Sequence, residues 1–135
     1  MKNFLKIASI AVIAFVAQRA LAQDSTRTIA LKNGESIDLM PVYGERNCRS
    51  ILTATPTVEV LESPPELKVT VREELVTPRR AACKDKIKGG VVVVTANDVK
   101  ARTEGKLTFR IKYKSKDGEK QTAHTYNATL FPSTP

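Results

Sequence analysis

Apolar and polar side chains alternate with a period of two along most of the chain after residue 27, which is the pattern of half-buried β-strands. The segments LKVTVREE and KLTFRIKYK show it most clearly, with apolar and polar positions on opposite faces. The predicted core positions of these two segments are Leu67, Val69, Val71, Leu107, Phe109, Ile111 and Tyr113. No segment of this region shows a sustained helical period, so an all-β fold is predicted.

Turn residues separate the alternating runs. Asn-Gly at 33–34 stands between TRTIALK and ESIDLMPVY, whose apolar positions include Ile37 and Leu39. SPPE ends the run TVEVLE, and Asp-Gly at 117–118 lies between the last two strands. About seven strands with this spacing predict an antiparallel two-sheet sandwich, in one domain spanning residues 23–135.

Two strands have features that indicate their position in a sheet. Pro41 interrupts the second strand, which favours an edge position or a bulge, because proline cannot donate a ladder hydrogen bond. The unbroken β-branched run VVVVTA favours a central strand buried on both faces. The last strand is expected to place Tyr126, Ala128 and Leu130 on the core, and Pro132 is expected to end it.

The first 22 residues have the three parts of a secretory signal peptide. Lys2 and Lys6 precede an apolar run over residues 7–17, and Ala20-Leu21-Ala22 supplies small residues at the cleavage site. A transmembrane anchor is the alternative, but the run has about half of the roughly 20 apolar residues that a spanning helix needs. Cleavage is predicted after Ala22, and the mature chain is expected to be periplasmic or secreted.

The charge is positive. The formal net charge of the whole chain is +8, and removing residues 1–22 takes away Lys2, Lys6 and Arg19 and leaves +5. An exported protein rarely meets nucleic acid, so anionic envelope polymers or acidic proteins are the expected partners.

Export also favours a disulfide between the two cysteines, Cys48 and Cys83, because thiols oxidise outside the cytoplasm. A metal site would need more ligands than these cysteines and the one histidine, His124. A redox pair would have Cys-x-x-Cys spacing, and a nucleophilic cysteine would need a base partner in a reducing compartment. The interpretation as a disulfide is therefore preferred.

Basic residues form two candidate binding surfaces. The bond would gather the loops GERNCRS and PRRAACKDKIK, with Arg46, Arg49, Arg79, Arg80, Lys84 and Lys86, at one end of the molecule. The outer face of the KLTFRIKYK strand presents Lys106, Arg110, Lys112 and Lys114, extended across the turn by Lys116 and Lys120. The alternative is that the loops are charged because they are solvated, and that the lysines prevent edge-to-edge pairing of strands.

Residues with catalytic potential are few. His124 shares strand parity with Tyr126 and is expected at the margin of the core, as a structural histidine. Glu73 and Glu74 are adjacent and point to opposite faces of a strand, so they cannot share a substrate. No phosphate loop, metal cluster or cofactor motif occurs in the sequence. The protein is predicted to be non-enzymatic, with no cofactor.

The segment LKNGESIDL and the closing hairpin GKLTFRIKYKSKDGEKQTAHTYNATLFP resemble immunoglobulin-like modules of bacterial envelope proteins. The mature chain is also similar to small exported alphaproteobacterial proteins of unknown function. This resemblance implies an immunoglobulin-like sandwich with a binding or structural role, and it transfers no functional residue. The chain departs from antibody domains because it has no tryptophan.

These observations predict an exported binding module that contacts an anionic envelope component or an acidic protein through its basic loops and its lysine-lined strand. One alternative is a periplasmic inhibitor or immunity-type protein that inserts its disulfide-bonded loop into a partner. Another is a subunit of a surface assembly that pairs by strand addition along an exposed edge. A third is an enzyme, in which replacement of His124 would abolish activity.

Overall fold

A computed structural model describes residues 27–133 of the protein. These residues form seven strands of six or more residues and two strands of two residues. The strands, in chain order, are β1 Arg27–Lys32, β2 Ser36–Val42, β3 Glu45–Arg46, β4 Arg49–Ser50, β5 Thr57–Glu62, β6 Leu67–Val76, β7 Ile87–Ala96, β8 Thr103–Ser115 and β9 Gly118–Phe131. No helix occurs within this range. The predictions of an all-β fold and of about seven main strands are confirmed.

The main strands form two sheets, with the orders β1-β9-β8-β5 and β2-β7-β6, and β3 pairs with β4 in a separate small ribbon. The two sheets share one apolar core, which makes the fold a β-sandwich. The prediction of antiparallel pairing was wrong at one position, because β1 pairs with β9 in parallel from Arg27 opposite Tyr126 to Lys32 opposite Phe131. Every other pair of main strands is antiparallel.

The Asn33-Gly34 turn is present, with Gly34 at a φ of 85°. It does not close a hairpin, because β1 belongs to one sheet and β2 to the other. The turn therefore moves the chain between the two layers of the sandwich.

The period-two pattern correctly predicted the core faces of the long strands. Leu67 and Val69 of β6 are buried, and so are Leu107, Phe109 and Ile111 of β8. The predicted core residues of β9 are also buried, namely Tyr126, Ala128 and Leu130. These residues pack together between the two sheets.

Strand β2 has both features that Pro41 indicated. It lies at the edge of its sheet, and its register against β7 shifts between Asp38 and Met40. Leu39 therefore has no partner in β7, and the strand continues through Pro41 to the buried Val42.

Strand β7 is central in its sheet and has apolar contacts on both faces, as predicted. Val92 and Val94 belong to the main core. Val91 points to the opposite face, where it packs with Val76 and Ile87 in a second apolar cluster. Val76 and Ile87 flank the connection 77–86, and Tyr43, which packs against this cluster, accepts a hydrogen bond from the N–H of Arg79 in the connection.

The predicted signal peptide, residues 1–22, lies outside the described residues. Within residues 27–133, no helix has the length and apolar character needed to cross a membrane.

Candidate functional site

The disulfide between Cys48 and Cys83 is present, as predicted, with the two Cα atoms 5.1 Å apart. It joins the β3–β4 ribbon to the connection 77–86 between β6 and β7. Cys83 and Pro78 of this connection are buried, and the backbone N–H of Arg79 donates a hydrogen bond to the Tyr43 hydroxyl at 2.9 Å. The bond therefore fixes a folded connection onto the body of the sandwich.

The β3–β4 ribbon turns at Asn47 and Cys48, which have φ values of 54° and 62°. Positive φ at both central residues of a two-residue hairpin is the geometry of a type I′ turn, in which asparagine followed by glycine is preferred. Cys48 occupies the position that favours glycine. This turn was missed in the sequence because Asn-Cys lacks the usual Asn-Gly signal.

Glu45 accepts hydrogen bonds from both segments that the disulfide joins. Its side chain is only 9% exposed, and its carboxylate Oε2 accepts hydrogen bonds from the backbone N–H of Cys48 at 2.8 Å and from Arg80 Nη1 at 3.3 Å. One largely buried carboxylate thus contacts both disulfide-linked segments.

Glu45, Cys48 and Cys83 also form a group whose potential metal-ligating atoms lie within 4.8 Å of one another. Both sulfur atoms are bonded to each other in the disulfide, so no thiolate remains to bind a metal ion. The arrangement is therefore that of a disulfide supported by a carboxylate.

The tip of the β8–β9 hairpin lies against the same end of the molecule. Arg46 forms an ion pair with Asp117 in the hairpin turn. The backbone N–H of Lys116 donates to the Ile51 carbonyl at 3.0 Å, and the N–H of Thr53 donates to the Lys114 carbonyl at 2.9 Å. The two predicted basic surfaces therefore meet, and we call the segments 45–50, 77–86 and 114–120 together the basic end.

Within residues 27–133, the net charge is concentrated in the basic end. These three segments contain nine Lys and Arg residues against four Asp and Glu residues, a net charge of +5. The rest of residues 27–133 contains ten against nine, a net charge of +1. Most of the positive charge of the described residues therefore belongs to the basic end.

The ten predicted binding residues divide into two groups by their contacts. Four form ion pairs with acidic residues, namely Arg46, Arg80, Arg110 and Lys112. Six form no ion pair within residues 27–133, namely Arg49, Arg79, Lys84, Lys86, Lys106 and Lys114. Four of these six lie in the two disulfide-linked segments of the basic end.

The lysine-lined face of β8 is interrupted by Glu59 of β5. Glu59 accepts from Arg110 Nε at 2.8 Å and lies 3.1 Å from Lys112 Nζ. Hydrogen bonds from these two cations hold the pKa of the Glu59 carboxyl below its ordinary value. The middle of the strand is therefore partly neutralised, and Lys106 and Lys114 are the cations of this face that form no ion pair within residues 27–133.

The expected extension of this face through Lys120 was wrong. Lys120 lies opposite Tyr113 in the hairpin, and its Nζ is 5.9 Å from the centre of the Tyr113 ring. Because Tyr113 has the parity of the core face, Lys120 points away from Lys112 and Lys114.

His124 lies at the margin of the core, as predicted. Its ring is 5.5 Å from the Phe109 ring, and its Nε2 is 3.0 Å from the Thr122 hydroxyl. Burial, together with the positive charge of Arg27, lowers the pKa of His124. The imidazole is therefore neutral at pH 7 and is held by packing and one hydroxyl.

The adjacent acidic residues are separated, as expected. Glu74 accepts from Arg72 at 2.8 Å on one face of β6. Glu73 lines a depression of about 220 Å³ together with Lys88 and residues 52–55. A second depression, of about 360 Å³, lies at the opposite end and is lined by residues 65–68 and 97–98. Neither lining combines a nucleophile with a base in hydrogen-bonding contact.

No protein-family model matches this chain, and no curated protein matches it in sequence.

Proposed function

We propose that the protein is a non-enzymatic exported binding module that docks through its basic end onto an anionic component of the cell envelope. The concentration of the net charge in three segments that meet at one end supports this proposal most directly. Each exposed cation contributes weakly and is screened by salt. Several cations on a surface held rigid by a disulfide act together, because little conformational freedom is lost on binding.

The order of the strands supports an immunoglobulin-like assignment of the fold. In the immunoglobulin lettering, β2-β7-β6 corresponds to strands B-E-D, and β5-β8-β9 corresponds to C-F-G. Strand β1, the equivalent of A, lies beside β9 instead of β2. The disulfide differs from that of antibody domains, since it joins two segments outside the main sheets.

Export through the predicted signal peptide is part of the proposal. A disulfide between the two cysteines of the chain is compatible with an oxidising compartment. An envelope rich in acidic polymers would then surround the basic end.

The test is retention of the mature chain on beads coated with lipopolysaccharide, washed at about 50 mM and then about 500 mM salt, a range over which surface electrostatics are screened. We expect retention at low salt and release at high salt. The variant Arg49→Glu with Lys84→Glu is expected to lose retention, because both exposed cations belong to the basic end and form no ion pair within residues 27–133.

The matched control is Lys32→Glu with Lys100→Glu, which makes the same change in net charge at exposed positions outside the basic end. We expect this variant to bind like the wild type. Equal loss in both variants would show that only total charge matters and would refute docking through the basic end. A single envelope protein retained through the high-salt wash would favour the inhibitor alternative, because buried contacts resist screening.

A further inference from the structure

Four strands form the edges of the two main sheets, and three of them have features that hinder pairing with another chain. Strand β2 contains a register shift and Pro41, β5 contains a register shift between Val60 and Glu62, and β1 has only six residues. Bulges, prolines and short length are the usual protection of a sheet edge. Strand β6 has none of these three features, because it pairs with β7 over ten residues without a shift. Its charged residues, Lys68, Arg72, Glu73 and Glu74, discourage pairing with any strand that does not match them with opposite charges.

Exposed apolar side chains occur in β5 and near one end of β6. The large hydrophobic residues exposed within residues 27–133 are Val60 (43%) and Leu61 (50%) of β5, and Leu75 (54%) of β6. Val60 and Leu61 lie near the end of β5, which residues 63–66 connect to Leu67 at the start of β6. Leu75 lies at the other end of β6. The free edge of β6 therefore has an exposed leucine near one of its ends.

We infer that a second copy of this chain pairs with the free edge of β6. The two β6 strands would run antiparallel, related by a two-fold axis at Val71. The two three-stranded sheets would then join into one six-stranded sheet, with the order β2-β7-β6-β6-β7-β2. The inference is independent of the proposed docking function, because β6 does not belong to the basic end.

The charges of β6 favour this register. With Val71 opposite itself, Lys68 faces Glu74 of the second copy, and Thr70 faces Arg72 of the second copy. A shift of two residues in one direction places Lys68 opposite Arg72, and a shift in the other direction places Arg72 opposite itself. Opposite charges directly across strands stabilise a pair and like charges destabilise it. The symmetric register centred on Val71 avoids both unfavourable contacts.

The same register places the exposed Leu75 opposite an apolar residue. Leu75 of the second copy lies opposite Leu67, at the end of β6 that follows Val60 and Leu61 of β5. The two-fold axis repeats this arrangement at the other end. Burial of apolar surface and charge pairing thus favour one geometry, although a single added strand makes a small interface that binds weakly.

The test exchanges the charges of Lys68 and Glu74 and measures the oligomeric state by sedimentation velocity. The concentration series reaches about 500 µM, because a small interface binds weakly. The wild type is expected to be a concentration-dependent dimer. In the proposed register, Lys68→Glu places two carboxylates opposite each other across the two copies, and Glu74→Lys places two ammonium groups opposite each other. Each variant alone is therefore expected to dissociate about tenfold more readily or more.

An equimolar mixture of the two variants is expected to restore the dimer, because every facing pair in the mixed dimer is again of opposite charge. Leu75→Ser is expected to weaken the wild-type dimer through lost apolar contact. Lys106→Glu is the matched control, since it makes the same charge change as Lys68→Glu on the exposed face of β8 and should leave the dimer intact.

Far-ultraviolet circular dichroism of each variant shows whether it is folded, and the mixture experiment detects pairing even if one variant is less stable. A wild type that stays monomeric at the highest concentration would overturn the inference. So would failure of the mixture to restore the dimer, or a loss with Lys106→Glu equal to the loss with Lys68→Glu. Binding to lipopolysaccharide tests the basic end separately, and its result has no bearing on the dimer.

Discussion

The two ends of the sandwich are closed by different interactions. The basic end has the Cys48–Cys83 disulfide and the largely buried carboxylate of Glu45. The opposite end, formed by segments 32–35, 62–66 and 97–104, depends on hydrogen bonds. Asn33 Oδ1 accepts from the Val99 N–H at 3.0 Å, and Asn33 Nδ2 donates to the Ser133 hydroxyl at 3.1 Å. One amide there joins three separate parts of the chain.

The two ends also differ in net charge. The basic end has a net charge of +5, whereas the three segments of the opposite end contain three basic and five acidic residues, a net charge of −2. Like charges held close together repel and destabilise a compact state. A covalent bond is thus found where the surface charge opposes folding, and hydrogen bonds are sufficient where it does not.

Removal of the disulfide is expected to have the largest effect on stability. Replacement of Cys48 and Cys83 by serine should lower the free energy of unfolding by about 3–4 kcal/mol, because a loop of about 36 residues is no longer closed in the unfolded chain. Denaturant unfolding of the oxidised wild type and the double variant measures this difference. The loss should be greater at low salt, where the repulsion at the basic end is unscreened.

A second variant separates the contribution of the disulfide to stability from the cost of the left-handed conformation at residue 48. Cys48→Gly with Cys83→Ser removes the same bond but places glycine at the φ of 62°. This variant is expected to be about 1 kcal/mol more stable than the double serine variant, because a left-handed conformation costs a residue with a side chain about that much. Equal stabilities would contradict the type I′ assignment.

Asn33→Ala is expected to have the second largest effect, at the opposite end. The substitution leaves the Val99 N–H without its acceptor and should cost about 1–2 kcal/mol in denaturant unfolding. Asn33→Asp keeps the acceptor and loses the donor to Ser133, so a smaller loss is expected. If Asn33→Ala were neutral, the proposed role of this amide in closing the opposite end would be wrong.

The smallest effect is expected from the titration of His124, which belongs to neither end. Its pKa is lowered in the folded protein, so the unfolded chain binds the proton more readily. Stability is therefore complete above the ordinary histidine pKa of about 6.5 and decreases as the pH falls below it. The melting temperature should fall between about pH 7.5 and pH 5.5, and His124→Gln should reduce this fall. A profile unchanged by the substitution would assign the pH dependence to other groups.

The sequence predicts the local features of this fold well. The alternation along β8 identified the buried faces of Phe109 and Ile111, because side-chain direction in a strand depends only on its own parity. The disulfide followed from the number of cysteines and from the predicted export of the chain. Pro41 indicated an edge strand or a bulge, because the cost of a missing N–H is local, and β2 has both.

Features that depend on pairing between distant segments were not predictable in this way. The parallel pairing of β1 with β9 joins residues about 100 positions apart in sequence. Glu59 neutralises Arg110 because β5 happens to pair with β8, and Arg46 reaches Asp117 because the ribbon lies beside the hairpin tip. The sequence showed which residues are charged, and tertiary contacts decide which charges remain uncompensated.

The parallel pairing of β1 with β9 has a mechanical consequence. The chain enters β1 at Arg27 and leaves β9 at Phe131, and the two strands run side by side in the same direction over six residue pairs. A force that pulls these two points apart would act along the strands and load their hydrogen bonds in shear. The bonds would have to break together, not one after another as in a hairpin pulled open from its free ends. A protein anchored on both sides of this pair would resist tension along that axis.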